Sequence, residues 1–233
     1  MKNVTLYLLP CLLGNDDPTL IAPAQIAEMQ SLRYYIVENE KSARQFIKTC
    51  NHSVQQNELT LFQLNKHKPE EDIRSMLQPC LEGHNIGLLS EAGMPCIADP
   101  GYLVVELAHR LGIRVVPFGG LNSMMMTLMA SGFSGQQFAF HGYLPMDKVA
   151  RNKKLRDMEQ QASKGIAQIF METPYRNEAL FAELLQSLRP QTRLCIGANI
   201  SHPDASIHTF DMATWKSHPP ELKKIPAVYI LGR

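Results

Sequence analysis

Three loops of this chain combine carboxylate, methionine, glycine and proline in a way that plain connections do not require. In LLSEAGMPCIADPGYLVV, residues 88–105, Glu91 stands just past an apolar run that ends at Ser90, with Gly93, Met94 and Pro95 behind it. Connections between elements usually take about two to six residues, and this one is longer. Glycine admits positive φ or close backbone approach, and proline stiffens a turn. Glu91 through Pro95 therefore has the make-up of a loop that wraps a ligand, although a surface glutamate explains Glu91 equally well. For Asp99 the plain explanation is preferred, since an N-cap Asp followed by Pro100 at the first helical position is a good helix start.

The other two loops are LLPCLLGND, residues 8–16, and PFGGLNSMMM, residues 117–126. Neither contains GxGxxG or GxxxxGK[ST], so the usual dinucleotide and P-loop signatures are absent. Gly119 and Gly120, with Asn122 or Ser123 as a cap, would offer backbone donors at a helix N-terminus; a simple turn accounts for them almost as well. Met124, Met125 and Met126 suit a pliable core or crevice lining.

In METPYR, Glu172 is the candidate catalytic group, as a base or as an orienting group, against the preferred alternative of a strand-end carboxylate paired with Arg176. His141 is a second participant to consider, with packing the better explanation. The segment KVARNKKLRDM brings Lys148, Arg151, Lys153, Lys154 and Arg156 within about three helical turns. Such a patch binds phosphates, but a solvated helix face is the commoner case, and only Tyr143 and Tyr175 stand near it for base stacking. The five cysteines are scattered without a CxxC pair, which points to reduced thiols and to no metal site.

Apolar and β-branched runs alternate with helical spacing in the first half: VTLYLL then Pro23–Leu32, YYIV then Glu40–Cys50, LTLFQL then Pro69–Leu81, IGLLS then Gly101–Leu111, IRVVPF then Asn122–Ala130. That rhythm predicts an α/β unit with a mostly parallel sheet, whose ligands sit beyond the carboxyl ends of its strands. The second half reads as QFAFHGYLP, a helix over 147–163, GIAQIFME, a helix over 174–188, and strands in TRLCIGANI, SIHTFDM and PAVYILG. A second α/β domain with a mixed sheet fits this pattern, giving domains 1–118 and 119–233.

With 233 residues, 45% of them hydrophobic, the chain has material for substantial cores, and its 23 basic and 22 acidic residues nearly cancel, so any preference for a polyanion must be local. The start, MKNVTLYLLPCLLGNDDPTL, lacks a multiply charged opening and a small-residue cleavage site, and no run approaches the roughly 18 apolar residues of a membrane span. A cytoplasmic protein without a membrane partner is expected.

Together, LYLLPCLLGN, LLSEAGMPCIADPGYLVV, VVPFGGLNSMMMTLMASGF, FAFHGYLP with its basic helix, and FMETPYRN resemble the tetrapyrrole methylase superfamily, the class III S-adenosylmethionine-dependent methyltransferases. The nearest branch is that of the bacterial 16S ribosomal RNA cytidine 2′-O-methyltransferases. The resemblance implies two α/β domains with S-adenosyl-L-methionine held in a cleft between them, methyl transfer to RNA, and a homodimer. It assigns Leu9, Pro10, Glu91, Met94, Ser123, Met124 and Met171 to the cofactor and, with the basic segment, Lys153, Lys154 and Arg176 to the substrate. The chain departs from the family at Glu91, where Asp is common, at Met94, where Thr is, at Gly120 to Ser123, where Gly-Pro-Ser-Ala is, and at Tyr175, where His is. Two other functions stay open: methylation of a tetrapyrrole-like small molecule, and a cofactor- or RNA-binding protein without transferase activity.

Overall fold

The computed structural model describes residues 4–14, 17–64 and 72–233. The chain separates into two compact units, Met1–Asn122 and Ser123–Arg233, and residue 118 falls in the loop leading to that junction.

In the first unit the strands are β1 (Thr5–Leu9), β2 (Tyr34–Val37), β3 (Thr60–Gln63), β4 (Ile86–Leu89) and β5 (Arg114–Pro117). They form one sheet in the order β3-β2-β4-β1-β5, and every pairing is parallel. A parallel sheet is covered on both faces, so its central strands are apolar throughout; Ile86–Leu89 is buried at every position. Helices α1 (Pro23–Met29) and α2 (Glu40–Thr49) pack Met29, Ala43 and Ile47 against Leu9, Tyr35, Val37 and Leu89. On the other face, α3 (Ile73–Met76), α4 (Gln78–Leu81) and α5 (Tyr102–Arg110) cover Leu6, Ile36, Ile86 and Leu88. Successive strand residues alternate between the two cores, as the two-residue period of a strand demands.

The second unit begins with α6 (Ser123–Ala130) and continues through β6 (Phe138–Tyr143), α7 (Lys148–Ser163), β7 (Ala167–Glu172), α8 (Asn177–Ser187), β8 (Arg193–Ala198), β9 (Ser206–Asp211), α9 (Met212–Ser217) and β10 (Ala227–Gly232). Its sheet runs β6-β7-β10-β8-β9, parallel between β6 and β7 and antiparallel elsewhere. One face packs Phe170, Leu194, Ile196 and Tyr229 under α7, α8 and α9. The opposite face packs Ile169, Cys195, Val228 and Ile230 under Met124 and Leu128 of α6. The molecule is thus an α/β protein with one parallel and one mixed sheet.

Three local expectations need correction. The helix expected over 69–81 starts outside the described residues, and its described part breaks at Leu77 into α3 and α4. Pro79 has no N–H to give and its ring crowds the carbonyl four residues back, so an unbroken helix there is disfavoured. The strand expected through Met212 ends at Asp211, whose side chain accepts from Thr214 N at 2.7 Å and so starts α9. Asp99 does not cap α5; the cap position is Gly101, and the Asp99 carboxylate instead accepts from Cys96 N and Gly101 N at 2.8–2.9 Å. An Asp side chain satisfied by the turn around it is unavailable to the first turn of the helix.

Candidate functional site

The chain leaves β2 toward β3 at one edge of the first sheet and leaves the neighbouring β4 toward β5 at the other edge. Divergent connections from adjacent strands open a crevice at their carboxyl ends. The loops after β1, β4 and β5 are knitted together there. Cys11 N donates to Gly93 O at 2.8 Å, and Ser90 Oγ donates to the same oxygen at 2.8 Å. Gly93 has φ of +71°, and a side chain there would press on Leu121 O and Leu13 Cδ2, both at 3.1 Å. Gly120 lies on the Pro10 ring so closely that a Cβ would collide with it. Gln25, buried in α1, donates to Pro10 O at 2.7 Å, and Asn122 Nδ2 reaches Met94 Sδ at 3.6 Å. Glycine is required at both 93 and 120, one for its backbone angle and one for the close approach.

Past Gly93 the loop stays tense. Cys96 and Ala98 hold φ of 68° and 65° without being glycine, a conformation that costs of order 1–3 kcal/mol per residue. Asp99 stabilises that shape by accepting from the backbone on both sides of itself. Burial pushes its carboxyl above the ordinary 3.8, against the lowering effect of the two backbone donors. Beside this rim lies a hollow of about 180 Å³ lined by Cys11, Leu12, Ser42, Phe46, Ser90 and Glu91. Glu38, the residue after β2, accepts from Glu91 N at 3.1 Å, so its carboxylate ties the end of β2 to the loop after β4. Burial raises the Cys11 thiol well above its usual value, leaving it an uncharged wall rather than a nucleophile.

In the second unit the ends of β6 and β7 carry charge. Glu172 is buried, with Oε2 at 2.7 Å from Arg176 Nη2 and Oε1 accepting from Thr173 N at 2.7 Å. Arg176 also touches Met146 Sδ. Arg151 places Nε and Nη2 on one oxygen of Glu183, at 2.9 and 2.6 Å, and donates through Nη1 to Pro145 O and Met146 O. The Glu183 hydrogen bonds hold the guanidinium above its ordinary pKa. Arg151 is therefore committed to shaping the 143–147 turn. His141 Nε2 lies 2.8 Å from Gln168 Oε1, and burial together with the Lys154 charge keeps the ring's pKa low against that bond.

The singled-out residues sort by unit. Leu9 is core, its side chain lying over Gly87; Pro10, Glu91 and Met94 stand on the knitted rim. Ser123 opens α6 and accepts from Thr127 Oγ1 through its carbonyl at 2.7 Å, while Met124 and Met171 belong to the core under α6. Lys153 is exposed, but Lys154 is half-buried on the His141 side of α7. The sequence reading passed over Ser90, Gln25 and the Glu38–Glu91 contact. A polar residue at the carboxyl end of a buried parallel strand was the available signal for Ser90 and Glu38; nothing local marks Gln25.

Comparison with known proteins places the chain in a family. Residues 13–214 match the family described as Tetrapyrrole (Corrin/Porphyrin) Methylases. The chain is 32% identical over 182 residues to the ribosomal RNA small subunit methyltransferase I of Halalkalibacterium halodurans, covering 78% of this chain and 59% of that protein. It is 27% identical over 222 residues to the protein of the same name from Vibrio cholerae, covering 94% and 74%. The chain thus spans about three fifths of the length of the first relative. A uroporphyrin-III C-methyl transferase from Thermus thermophilus, solved in complex with S-adenyl homocysteine, superposes with a TM-score of 0.61 at 18% identity over 98% of this chain and 97% of that one, and shares its fold.

Proposed function

The chain belongs to the tetrapyrrole (corrin/porphyrin) methylase family, and we propose that it is an S-adenosylmethionine-dependent methyltransferase that modifies RNA, with a ribose 2′-hydroxyl of ribosomal RNA as acceptor. The observation that carries the proposal is the knitted rim, in which three loops distant in sequence meet through Cys11, Gly93, Pro10 and Gly120. The residues fit the ligand. Pro10, Leu13, Met94 and Leu121 supply apolar wall, the loop backbones supply polar groups, and Glu38 and Glu91 supply the carboxylates that ribose hydroxyls and a cationic end require.

Bound there, S-adenosylmethionine supplies a methyl group on a sulfonium whose positive charge is lost as the methyl leaves. The protein's own task is alignment, since an in-line transfer gains most from holding nucleophile and donor at near-attack distance. A rim fixed by backbone hydrogen bonds and by glycine contacts does this without reorganising. Glu172 serves as an orienting group. Both its oxygens are engaged, so it acts by fixing Arg176 rather than by taking a proton. Ser123, Met124 and Met171 are assigned to the cofactor by family resemblance, and Lys153, Lys154 and Arg176 to the RNA.

The acceptor is read as RNA because the relatives at 32% and 27% identity carry ribosomal RNA methyltransferase names, whereas the uroporphyrin enzyme stands at 18%. The same reading makes the protein a cytoplasmic homodimer. Calorimetric titration with S-adenosylmethionine and S-adenosylhomocysteine tests the cofactor; binding should weaken in Glu91→Ala. Incubating cell extract with methyl-labelled donor then tests the acceptor. Label in ribosomal RNA supports the proposal, label in a small organic fraction replaces RNA with a tetrapyrrole-like substrate, and binding without any label leaves a silent cofactor-binding protein.

A further inference from the structure

Four large apolar side chains stand out of the surface in one short part of the second unit: Tyr143 is 60% exposed, Met146 77%, Val149 78% and Tyr175 82%. They occupy the end of β6, the turn after it, the start of α7 and the turn after β7. Tyr143 ends β6, and Tyr175 follows the adjacent parallel strand β7. Tyr143 pairs in register with Met171 after an irregularity that Gly142, at φ of +63°, permits. The two turns are joined by the contact of Arg176 with Met146 and stiffened by Arg151 on the carbonyls of Pro145 and Met146. Among the described residues neither tyrosine side chain has a hydrogen-bond or ring partner. Exposed apolar clusters of this kind mark interaction sites.

The charge beside the patch selects the occupant. Lys148, Lys153 and Arg156 are exposed on α7 and make no ion pair among the described residues, while Arg151 is spent on Glu183 and Arg176, paired with Glu172, keeps part of its surface toward solvent. Val149, Lys153 and Arg156 share one face of α7 by their spacing. Tyrosine faces with lysines alongside match the needs of a polyanion whose bases are unpaired. A duplex keeps its bases stacked within itself and has nothing to offer the rings. A second copy of this chain is disfavoured, because a two-fold contact would set these cations against themselves.

We infer that Tyr143 and Tyr175 form a stacking platform for unpaired bases of a single-stranded RNA, whose phosphates run along Lys148, Lys153 and Arg156. This deepens the proposed RNA methyltransferase activity and rests on it for the identity of the nucleic acid.

The test is fluorescence anisotropy with a labelled oligouridylate of about twelve nucleotides, on the full chain. Tyr143→Ala and Tyr175→Ala should each weaken binding by about 5- to 100-fold. Tyr→Phe at either position should stay within about twofold, because the ring face does the work. Lys153→Ala should reduce the slope of log affinity against log salt by about 0.7, and a duplex of equal length should compete poorly. No binding by the wild-type chain, unchanged binding in both alanine variants, or conversion of a dimer to a monomer by Tyr175→Ala in light scattering would overturn the inference. Titration of the same samples with S-adenosylmethionine separates the two claims. Loss of cofactor binding in the wild-type chain defeats the methyltransferase proposal, whereas intact cofactor binding with tyrosine-independent RNA affinity defeats only the platform.

Discussion

At the carboxyl end of the first sheet, Cys11 N–H reaches Gly93 O at 2.8 Å and Gly120 lies flat on Pro10. At the end of β7 the turn is instead held by the Glu172 carboxylate on Arg176 and Thr173 N, and the turn before α7 by Arg151. Backbone ties and glycine contacts are insensitive to salt and intolerant of an added side chain. Ion pairs hold a turn while leaving its other side chains free to face outward, and Tyr143, Met146 and Tyr175 do so. One construction suits a small ligand that must be placed accurately; the other suits a polymer met along its length.

The comparison is tested most severely at Arg151. It and Glu183 are each only 13% exposed, so Arg151→Ala strands a carboxylate and should lower unfolding stability by about 3 kcal/mol. Urea denaturation of Arg151→Ala beside the Arg151→Ala/Glu183→Ala double variant checks the cause: the double variant should recover much of the loss, and failure to do so would make the pair a packing feature. Next in size is Gly120→Ala on the rim. Its Cβ meets the rigid Pro10 ring, and overpacking of this kind costs about 1–3 kcal/mol. Cofactor affinity should fall about tenfold or more, equivalent to roughly 1.4 kcal/mol, and undiminished affinity in calorimetry would detach the rim from the ligand.

A smaller effect is expected at Asp99. Removing its carboxylate leaves Cys96 N and Gly101 N unpaired, so Asp99→Ala should cost about 1 kcal/mol. Its pH dependence has a definite sign. Burial raises the folded-state pKa above 3.8, so the stabilisation linked to protonation is complete below 3.8 and is lost as pH rises through the raised value. Stability measured from pH 3 to 6 should therefore decline relative to Asp99→Asn, and parallel curves would contradict the assignment. The least effect on folding belongs to Glu91→Ala. An exposed side chain shifts stability by no more than about 0.5 kcal/mol, while loss of a charged contact should weaken the cofactor by about tenfold.

Much of the architecture was legible beforehand because it follows from local pattern. The buried run Ile86–Leu89 and the aromatic and β-branched Tyr34–Val37 have no good alternative to strands, and the 3.6-residue spacing of Leu155, Met158, Glu159 and Ala162 declares the buried face of α7. The failures were also local and had local signals. Pro79 inside a helical pattern announced the break at Leu77, and Asp211 three residues before Thr214 announced α9. At Asp99 the same side chain satisfied two competing rules, and the tense backbone at Cys96 and Ala98 decided between them.

The site divides along the same line. The composition of the three loops, with glycine where the chain must approach closely and carboxylates at strand ends, is written in the order of residues, as are the family and the cations of α7. Which loops touch is not, because Cys11 and Gly93, or Pro10 and Gly120, become neighbours only when the sheet adopts the order β3-β2-β4-β1-β5. Nor does the sequence say which charges are spent. Arg151 and Lys153 are alike in a list of cations; burial of one beside Glu183 and exposure of the other are consequences of helix packing, a long-range property that no local pattern encodes.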